Sequence, residues 1–342
     1  MKKYKALLAS SIVIAAFAAA NTARAAEPVP EGSTVEIKKT VDLTDDKVLM
    51  PKTSFNFTVE PDNTAKGTKD NLTIYPGKTL LGQVIKVEYT NDDKINNKEK
   101  KVQVDFTDVK FDKPGIYRYL VKEADGNTPG IIYDKKEYTI DVYVLNGENG
   151  QLVAKYVVSH DKDNKDAKKP IQFNNKLKTT SLTVKKIVTG NAGDCDHEFE
   201  FTLELIPNAE FEKGKTLTFT KQGKDNTKTD VVATIGEPTK FKLKDGESLT
   251  LDKLPIGISY KINETDAKGY IASAQLTEVG KGAVEYNLGD EKESDNTADT
   301  IEVTNNKEGI IPTGVVNTIA PFAALAIVAI GGSLYFVKRK KA

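Results

Sequence analysis

The sequence predicts an all-β protein of two tandem sandwich domains, set between a secretion signal and a membrane-spanning tail. Three observations carry this prediction: short runs of alternating apolar and polar residues, turn-forming clusters between those runs, and three landmarks that recur in both halves. The 342 residues suffice for two or three domains. We place the sandwiches at residues 26–177 and 178–308, after a signal peptide at 1–25 and before a C-terminal segment at 309–342.

The N-terminus has the three parts of a secretory signal peptide. Three lysines precede the apolar run of residues 6–20, and Ala23-Arg24-Ala25 supplies the small residues that precede cleavage. The apolar run is too short to span a bilayer comfortably. We therefore expect a secreted chain that begins near Ala26.

Period-two alternation runs through the middle of the chain and predicts half-buried strands. Clusters of Asn, Asp, Gly and Lys separate the runs, as at residues 90–101 and 221–230. Many short strands without a convincing helical period are typical of a β-sandwich. Examples of the runs are residues 35–37, 55–59, 102–106, 138–142 and 199–203.

The composition excludes several function classes. Cys195 is the only cysteine, and His160 and His197 are the only histidines. That set is too small for a disulfide, a His/Cys metal site or a Ser-His-Asp triad, so we expect no metal and no cofactor. The Cys195-Asp196-His197 sequence supplies two ligands, which do not make a metal site. A formal net charge of zero argues against a nucleic-acid partner.

The two halves share three landmarks in the same order. Each opens with an alternating strand that contains a Lys pair, continues to a Tyr-x-aliphatic-x-Glu strand, and closes with a strand that ends in Asn. The first half has these landmarks at residues 35–41, 119–123 and 171–175, and the second half at residues 182–188, 260–264 and 301–305.

The alternation of strand residues between two faces, here called strand parity, predicts that one polar side chain of each landmark points toward the core. Because alternate residues of a strand share a face, Lys39 faces the interior together with Ile37 and Val41, whereas Lys38 faces water. The same reasoning gives three inward-facing polar side chains in each half. They are Lys39, Glu123 and Asn175 in the first half, and Lys186, Glu264 and Asn305 in the second.

A buried Lys, Glu and Asn together have a coherent chemical use. Desolvation lowers the pKa of a Lys and raises that of a Glu, which gives a neutral amine and a neutral acid. The amine can attack the Asn carbonyl while the Glu polarises that carbonyl and transfers protons, so that ammonia leaves and an amide joins the side chains. The reaction runs once per domain, so the protein is not an enzyme in the turnover sense. The alternative is an unreacted, hydrogen-bonded Lys–Glu pair with the Asn nearby.

The C-terminus combines Ile311-Pro312-Thr313-Gly314 with a mostly apolar run at residues 315–337 and a basic stretch at residues 338–341. The apolar run is long enough to cross a bilayer, and the basic stretch would stay on the cytoplasmic side. The arrangement resembles the cell-wall sorting signal that sortase cuts between Thr and Gly. Here Pro312 is followed directly by Thr313, whereas the usual signal has one residue between them. This shortened form resembles that of certain streptococcal pilins and favours a pilus-specific sortase.

Taken together, the signal peptide, both Lys-Glu-Asn sets and the Pro-Thr-Gly signal resemble the major backbone pilin, or T-antigen, of streptococci along essentially the whole chain. The resemblance implies immunoglobulin-like sandwiches of the collagen-adhesin B type and a structural role in a pilus. The isopeptide bonds that it implies are Lys39 to Asn175, assisted by Glu123, and Lys186 to Asn305, assisted by Glu264.

The resemblance also implies a covalent polymer of identical subunits. Sortase would cut after Thr313, releasing Gly314, and a surface Lys of the next subunit would attack the resulting thioester. Position favours Lys168 as that acceptor, with Lys169 as the nearby alternative. The further partners implied are a pilus-specific sortase, minor pilins at tip and base, and peptidoglycan. The location implied is a cell-wall-anchored pilus, with the precursor transiently in the plasma membrane.

Two alternatives come from other function classes. A monomeric wall-anchored adhesin would share the sorting signal and the cross-links but would lack a working acceptor Lys. A surface glycosidase needs a carboxylate pair at one site. Glu123 and Glu264 fall in separate predicted domains, each with its own Lys and Asn, which fits two copies of one device better than a single active site.

Overall fold

The computed structural model describes residues 32–310, apart from residues 44–45, 95–98, 166 and 266. The predicted signal peptide, sorting signal and membrane span lie outside the described residues. Regular structure in the described part is β, with one 3-10 turn at Glu148–Gly150. No helix within that part is long and apolar enough to cross a membrane.

The first sandwich packs a four-stranded sheet against a seven-stranded sheet. The four-stranded sheet has the order β6-β1-β11-β8, and the larger sheet has the order β10-β9-β7-β2-β5 with β3 and β4 at its side. The strands are β1 (Thr34–Asp42), β2 (Thr53–Pro61), β3 (Thr68–Lys69), β4 (Leu72–Pro76), β5 (Lys86–Tyr89), β6 (Glu99–Asp105), β7 (Gly115–Glu123), β8 (Ile131–Ile132), β9 (Glu137–Asn146), β10 (Leu152–Asp161) and β11 (Ile171–Leu177).

The second sandwich also packs a seven-stranded sheet against a four-stranded sheet. Its first and last strands lie in the larger sheet, whereas those of the first sandwich lie in the smaller one. In the second sandwich the seven-stranded sheet has the order β15-β14-β17-β12-β22-β19-β20, and the four-stranded sheet has the order β16-β13-β18-β21. The strands are β12 (Thr179–Thr189), β13 (Phe199–Ile206), β14 (Thr216–Gln222), β15 (Lys228–Thr234), β16 (Thr239–Leu243), β17 (Ser248–Pro255), β18 (Ser259–Glu264), β19 (Ile271–Glu278), β20 (Val284–Glu285), β21 (Glu291–Glu293) and β22 (Asp299–Asn306).

Each sandwich places its first and last strands side by side and parallel. β1 pairs with β11, and β12 pairs with β22. Their inner faces are apolar because alternate residues point into the core, as Ile37 and Phe173 do in the first sandwich and Val184 and Ile301 do in the second. This parallel pairing brings the Lys-bearing strand next to the Asn-bearing strand in both domains.

The two sandwiches are joined with only Lys178 between β11 and β12. Leu49, from the loop after β1, is 4% exposed and packs into the core of the second sandwich. Asn91 adds a buried polar contact, because its side-chain amide donates to the carbonyl oxygens of Met50 (2.7 Å) and Glu210 (2.8 Å). The first sandwich therefore contributes both apolar and hydrogen-bonding groups to the second.

Candidate functional site

The first Lys-Glu-Asn set comes together inside the first sandwich. Lys39 lies on β1 opposite Phe173 of the parallel strand β11, and Asn175 lies two residues beyond Phe173. Glu123 is the last residue of β7, in the facing sheet. Glu123 Oε1 is 2.9 Å from Lys39 Nζ, and it accepts a 3.0 Å hydrogen bond from Asn175 Nδ2. One carboxyl oxygen therefore contacts both the amine and the amide nitrogen.

This first set is enclosed by apolar groups that disfavour charge. Lys39 and Asn175 are 0% exposed, and Lys39 Nζ lies 4.5 Å from the centre of the Phe55 ring. Burial lowers the pKa of Lys39 to about 8, although the negative charge of Glu123 acts in the opposite direction. Burial also raises the pKa of Glu123 against the opposing effect of Lys39. Both shifts favour a neutral amine beside a neutral acid.

The second set repeats this geometry on β12, β18 and β22. Glu264 Oε1 is 3.1 Å from Lys186 Nζ and accepts a 3.0 Å hydrogen bond from Asn305 Nδ2. Lys186 Nζ lies 4.3 Å from the centre of the Phe199 ring, and burial lowers the pKa of Lys186. The structure thus brings together all three side chains of each set that the sequence analysis singled out.

The position of each Glu refines the expected chemistry. The sequence analysis expected the Glu to polarise the Asn carbonyl, but each Glu Oε1 instead faces the Lys amine and the Asn amide nitrogen. A neutral carboxyl group placed there can give its proton to the departing nitrogen and take one from the amine. The Asn carbonyl oxygen points elsewhere and needs a different partner.

Sequence analysis missed that partner in the first sandwich. The backbone N–H of Asp134, in the loop between β8 and β9, donates to Asn175 Oδ1 (2.8 Å) and to Glu123 Oε2 (3.2 Å). A main-chain N–H in a loop carries no signal in residue type or periodicity. Only the folded geometry shows it.

The two candidate acceptor lysines lie in the loop between β10 and β11. Lys168 is exposed and forms an isolated antiparallel bridge with His160. Lys169 forms an ion pair with Asp161, and its backbone N–H donates to the carbonyl of Ser159 (2.8 Å). His160 is buried beneath this loop, with Nδ1 3.1 Å from the carbonyl oxygen of Ala167. The loop that carries both lysines is therefore tied to the end of β10.

The remaining residues that the sequence analysis named lie near the C-terminus and in the loop between β12 and β13. Thr313 and Gly314 lie outside the described residues. Cys195 is exposed, and the ring of His197 packs against Phe199 with centroids 4.6 Å apart. Within the described ranges no group of three or more His, Cys, Asp or Glu side chains could hold a metal ion.

Similarity to known proteins identifies the family. A family model described as a Spy0128-like isopeptide containing domain matches residues 35–178, and a model of a domain of unknown function matches residues 180–307. A pilin of Streptococcus pyogenes serotype M1 is 38% identical over 350 residues, which cover 99% of this chain and 100% of the relative. The chain belongs to the streptococcal major pilin family.

Solved major pilins share the fold of this pilin. The T3.2 pilin of Streptococcus pyogenes is 44% identical with a TM-score of 0.77, and the match covers 82% of this chain and 99% of that one. The T-13 pilin of the same species is 45% identical with a TM-score of 0.72, covering 82% and 98%. These matches confirm the all-β prediction of two sandwich domains and the prediction of a pilus subunit.

Proposed function

We propose that this pilin forms the shaft of a sortase-assembled, cell-wall-anchored pilus and that each sandwich cross-links itself through a Lys–Asn amide. One observation carries the cross-link. In both cores, one Glu oxygen lies within 3.1 Å of the Lys amine and of the Asn amide nitrogen, away from water. The repetition of this contact in two domains argues against an incidental buried ion pair.

The reaction balances without a cofactor. The lone pair of Lys39 Nζ attacks Asn175 Cγ, a C–N bond forms, and the bond from Cγ to Nδ2 breaks. Glu123, as a neutral acid, gives its proton to Nδ2 and takes one from the amine, so Nδ2 leaves as ammonia and the carboxyl group ends unchanged. The fold supplies the effective concentration that makes an amide reactive enough.

The strand order makes these cross-links mechanically useful. Tension that enters at Thr313 reaches Asn305, crosses to Lys186 on the parallel neighbour, and then follows β12 back to the junction. From there it reaches Asn175 and leaves near Lys168. Since the second bond joins the first and last strands of its domain and the first domain is loaded only along β11, most of each sandwich lies outside the loaded path.

Polymerisation would use the same load-bearing ends. Sortase would cut between Thr313 and Gly314 and hold the Thr313 carbonyl as a thioester. The amine of Lys168 from another copy would then attack that carbonyl and release the sortase thiol. Lys168 and Lys169 are both exposed and both precede β11, and Lys169 forms an ion pair with Asp161; position along the chain favours Lys168 as the acceptor. The last subunit would be transferred to peptidoglycan, and minor pilins would occupy tip and base.

Matched acceptor variants test the polymer. Lys168→Arg keeps the positive charge but removes the amine, and it should abolish the ladder of very high-mass species in cell-wall extracts. Lys169→Arg is the matched control and should leave the ladder intact. A full ladder in Lys168→Arg would refute this acceptor, and a single wall-linked band in the wild type would favour the monomeric adhesin.

Peptide mapping tests the cross-links separately. Digestion of the purified protein should yield one branched peptide that joins Lys39 to Asn175 and a second that joins Lys186 to Asn305. In Glu123→Ala the first branched peptide should disappear while the second remains. Recovery of only linear peptides from the wild type would refute the self-cross-linking.

A further inference from the structure

We propose that the backbone N–H of Asp134 is the oxyanion donor for amide formation in the first sandwich. This inference rests on the proposed cross-linking reaction and assigns a catalytic group that the Lys, Glu and Asn do not supply. It follows from the contacts of the Asn carbonyl oxygen, which differ between the two domains.

The donor lies where negative charge develops. When Lys39 Nζ adds to Asn175 Cγ, the electron pair of the carbonyl bond moves onto Oδ1. The Asp134 nitrogen is 2.8 Å from that oxygen, within the distance range of oxyanion-hole donors. The contact also fixes the orientation of the amide, because an N–H requires an oxygen acceptor there and so directs Nδ2 toward Glu123.

The side chain of Asp134 holds this donor in place. Its carboxylate is 9% exposed and accepts hydrogen bonds from the backbone N–H groups of Asn174 (2.8 Å) and Lys136 (3.0 Å). Asn174 is the chain neighbour of Asn175. The loop that carries the donor is therefore fastened to the strand that carries the electrophile, so the donor needs little reorganisation during the reaction.

The second sandwich provides an internal comparison. Asn305 Oδ1 and Glu264 Oε2 are buried, and neither has a hydrogen-bond partner among the described residues. The amine and carboxyl contacts are otherwise alike in the two domains, at 2.9 and 3.1 Å. Formation of the Lys186–Asn305 bond should therefore be insensitive to any change at Asp134.

The test is the rate of ammonia loss during folding. The two-domain chain is recovered unfolded before reaction, refolded by dilution and quenched at intervals. Intact mass then counts the bonds, and digestion assigns each one. In the decisive variant an α-hydroxy analogue of aspartate replaces Asp134, so an ester oxygen replaces the N–H and the side chain stays. Removal of one oxyanion donor should slow the first bond by about 100-fold and leave the second unchanged.

Two further variants keep the test decisive. Asp134→Asn retains the N–H and an acceptor oxygen, so it should react at close to the wild-type rate. Asp134→Ala retains the N–H but loses the fastening to Asn174, so the first bond should form more slowly than in Asp134→Asn. Circular dichroism confirms folding, and if the ester variant fails to fold, the Ala–Asn comparison tests whether formation of the first bond depends on how the Asp134 side chain positions the donor.

The outcomes separate this inference from the proposed function. If the folded ester variant forms the first bond at the wild-type rate, or if both bonds slow equally, Asp134 is not the donor. Equal first-bond rates in Asp134→Ala and Asp134→Asn would overturn the claim that the Asp134 carboxylate holds the donor in place. If the wild type loses no ammonia at all, the cross-linking chemistry itself is wrong. A selective slowing of the first bond supports both.

Discussion

Replacing Asn305 with Ala distinguishes the stability that the cross-link gives the second sandwich from the stability that the buried Lys186–Glu264 pair gives it. The variant removes the electrophile but leaves Lys186 beside Glu264. If no bond formed in the wild type, the loss would be one hydrogen bond to a carboxyl group, which costs about 1.5–3 kcal/mol. If the bond forms, the variant also opens a loop from residue 186 to residue 305, which the disulfide loop model values at about 5 kcal/mol.

The second sandwich should be less stable in the Glu264→Ala variant than in the Asn305→Ala variant. Glu264→Ala prevents the cross-link and also leaves the amine of Lys186 buried without its carboxyl partner, which adds about 3–5 kcal/mol. The predicted order of stability of the second sandwich is therefore wild type, then Asn305→Ala, then Glu264→Ala.

Hydrogen exchange across a guanidinium series measures this order, with the first sandwich as an internal reference. A loss of about 5 kcal/mol corresponds to a midpoint shift of about 1–2 M for a domain of this size. A shift of less than about 0.5 M in Asn305→Ala would refute the reasoning, because the lost hydrogen bond alone would then account for it.

Two further predictions concern pH and force. In Asn175→Ala, Lys39 stays a free amine, and the stability of the first sandwich should rise by about 3 kcal/mol as the pH increases from about 8 to 10.5. The stability rises because over this range Lys39 of the unfolded chain still binds a proton that Lys39 of the folded chain has released. The wild type should lack this rise in urea titrations. A stability of Asn175→Ala that does not change with pH would contradict the lowered pKa of Lys39. Under force, the wild-type polymer should show no extension from unfolding of the second sandwich, whereas Glu264→Ala should show one; an unfolding step in the wild type would contradict the load path.

Strand parity predicted which side chains enter the cores. The period of two is a property of any strand, so Ile37 and Val41 determine the face of Lys39 once the strand is recognised. Parity gives no information about which strands are neighbours. The parallel pairing of β1 with β11, which brings Lys39 close to Asn175, is a finding of the structure. The sequence analysis placed Lys39 and Asn175 in one core from the repeated landmarks, and the family resemblance implied their bond.

Features outside the strands were not predictable in this way. The Asp134 donor is a main-chain group in a loop, so the identity of its residue carries no signal. Leu49 follows no alternating strand, yet it packs into the core of the other domain. The contact of each Glu with the amide nitrogen, and not with the carbonyl oxygen, depends on ångström-scale geometry that residue spacing does not determine.

Intact mass spectrometry of the purified two-domain protein tests the central claim most directly. Two Lys–Asn amides predict a mass lower than that of the translated composition by two molecules of ammonia, and by one molecule in either Glu123→Ala or Glu264→Ala. A wild-type mass equal to that of its translated composition would contradict the account.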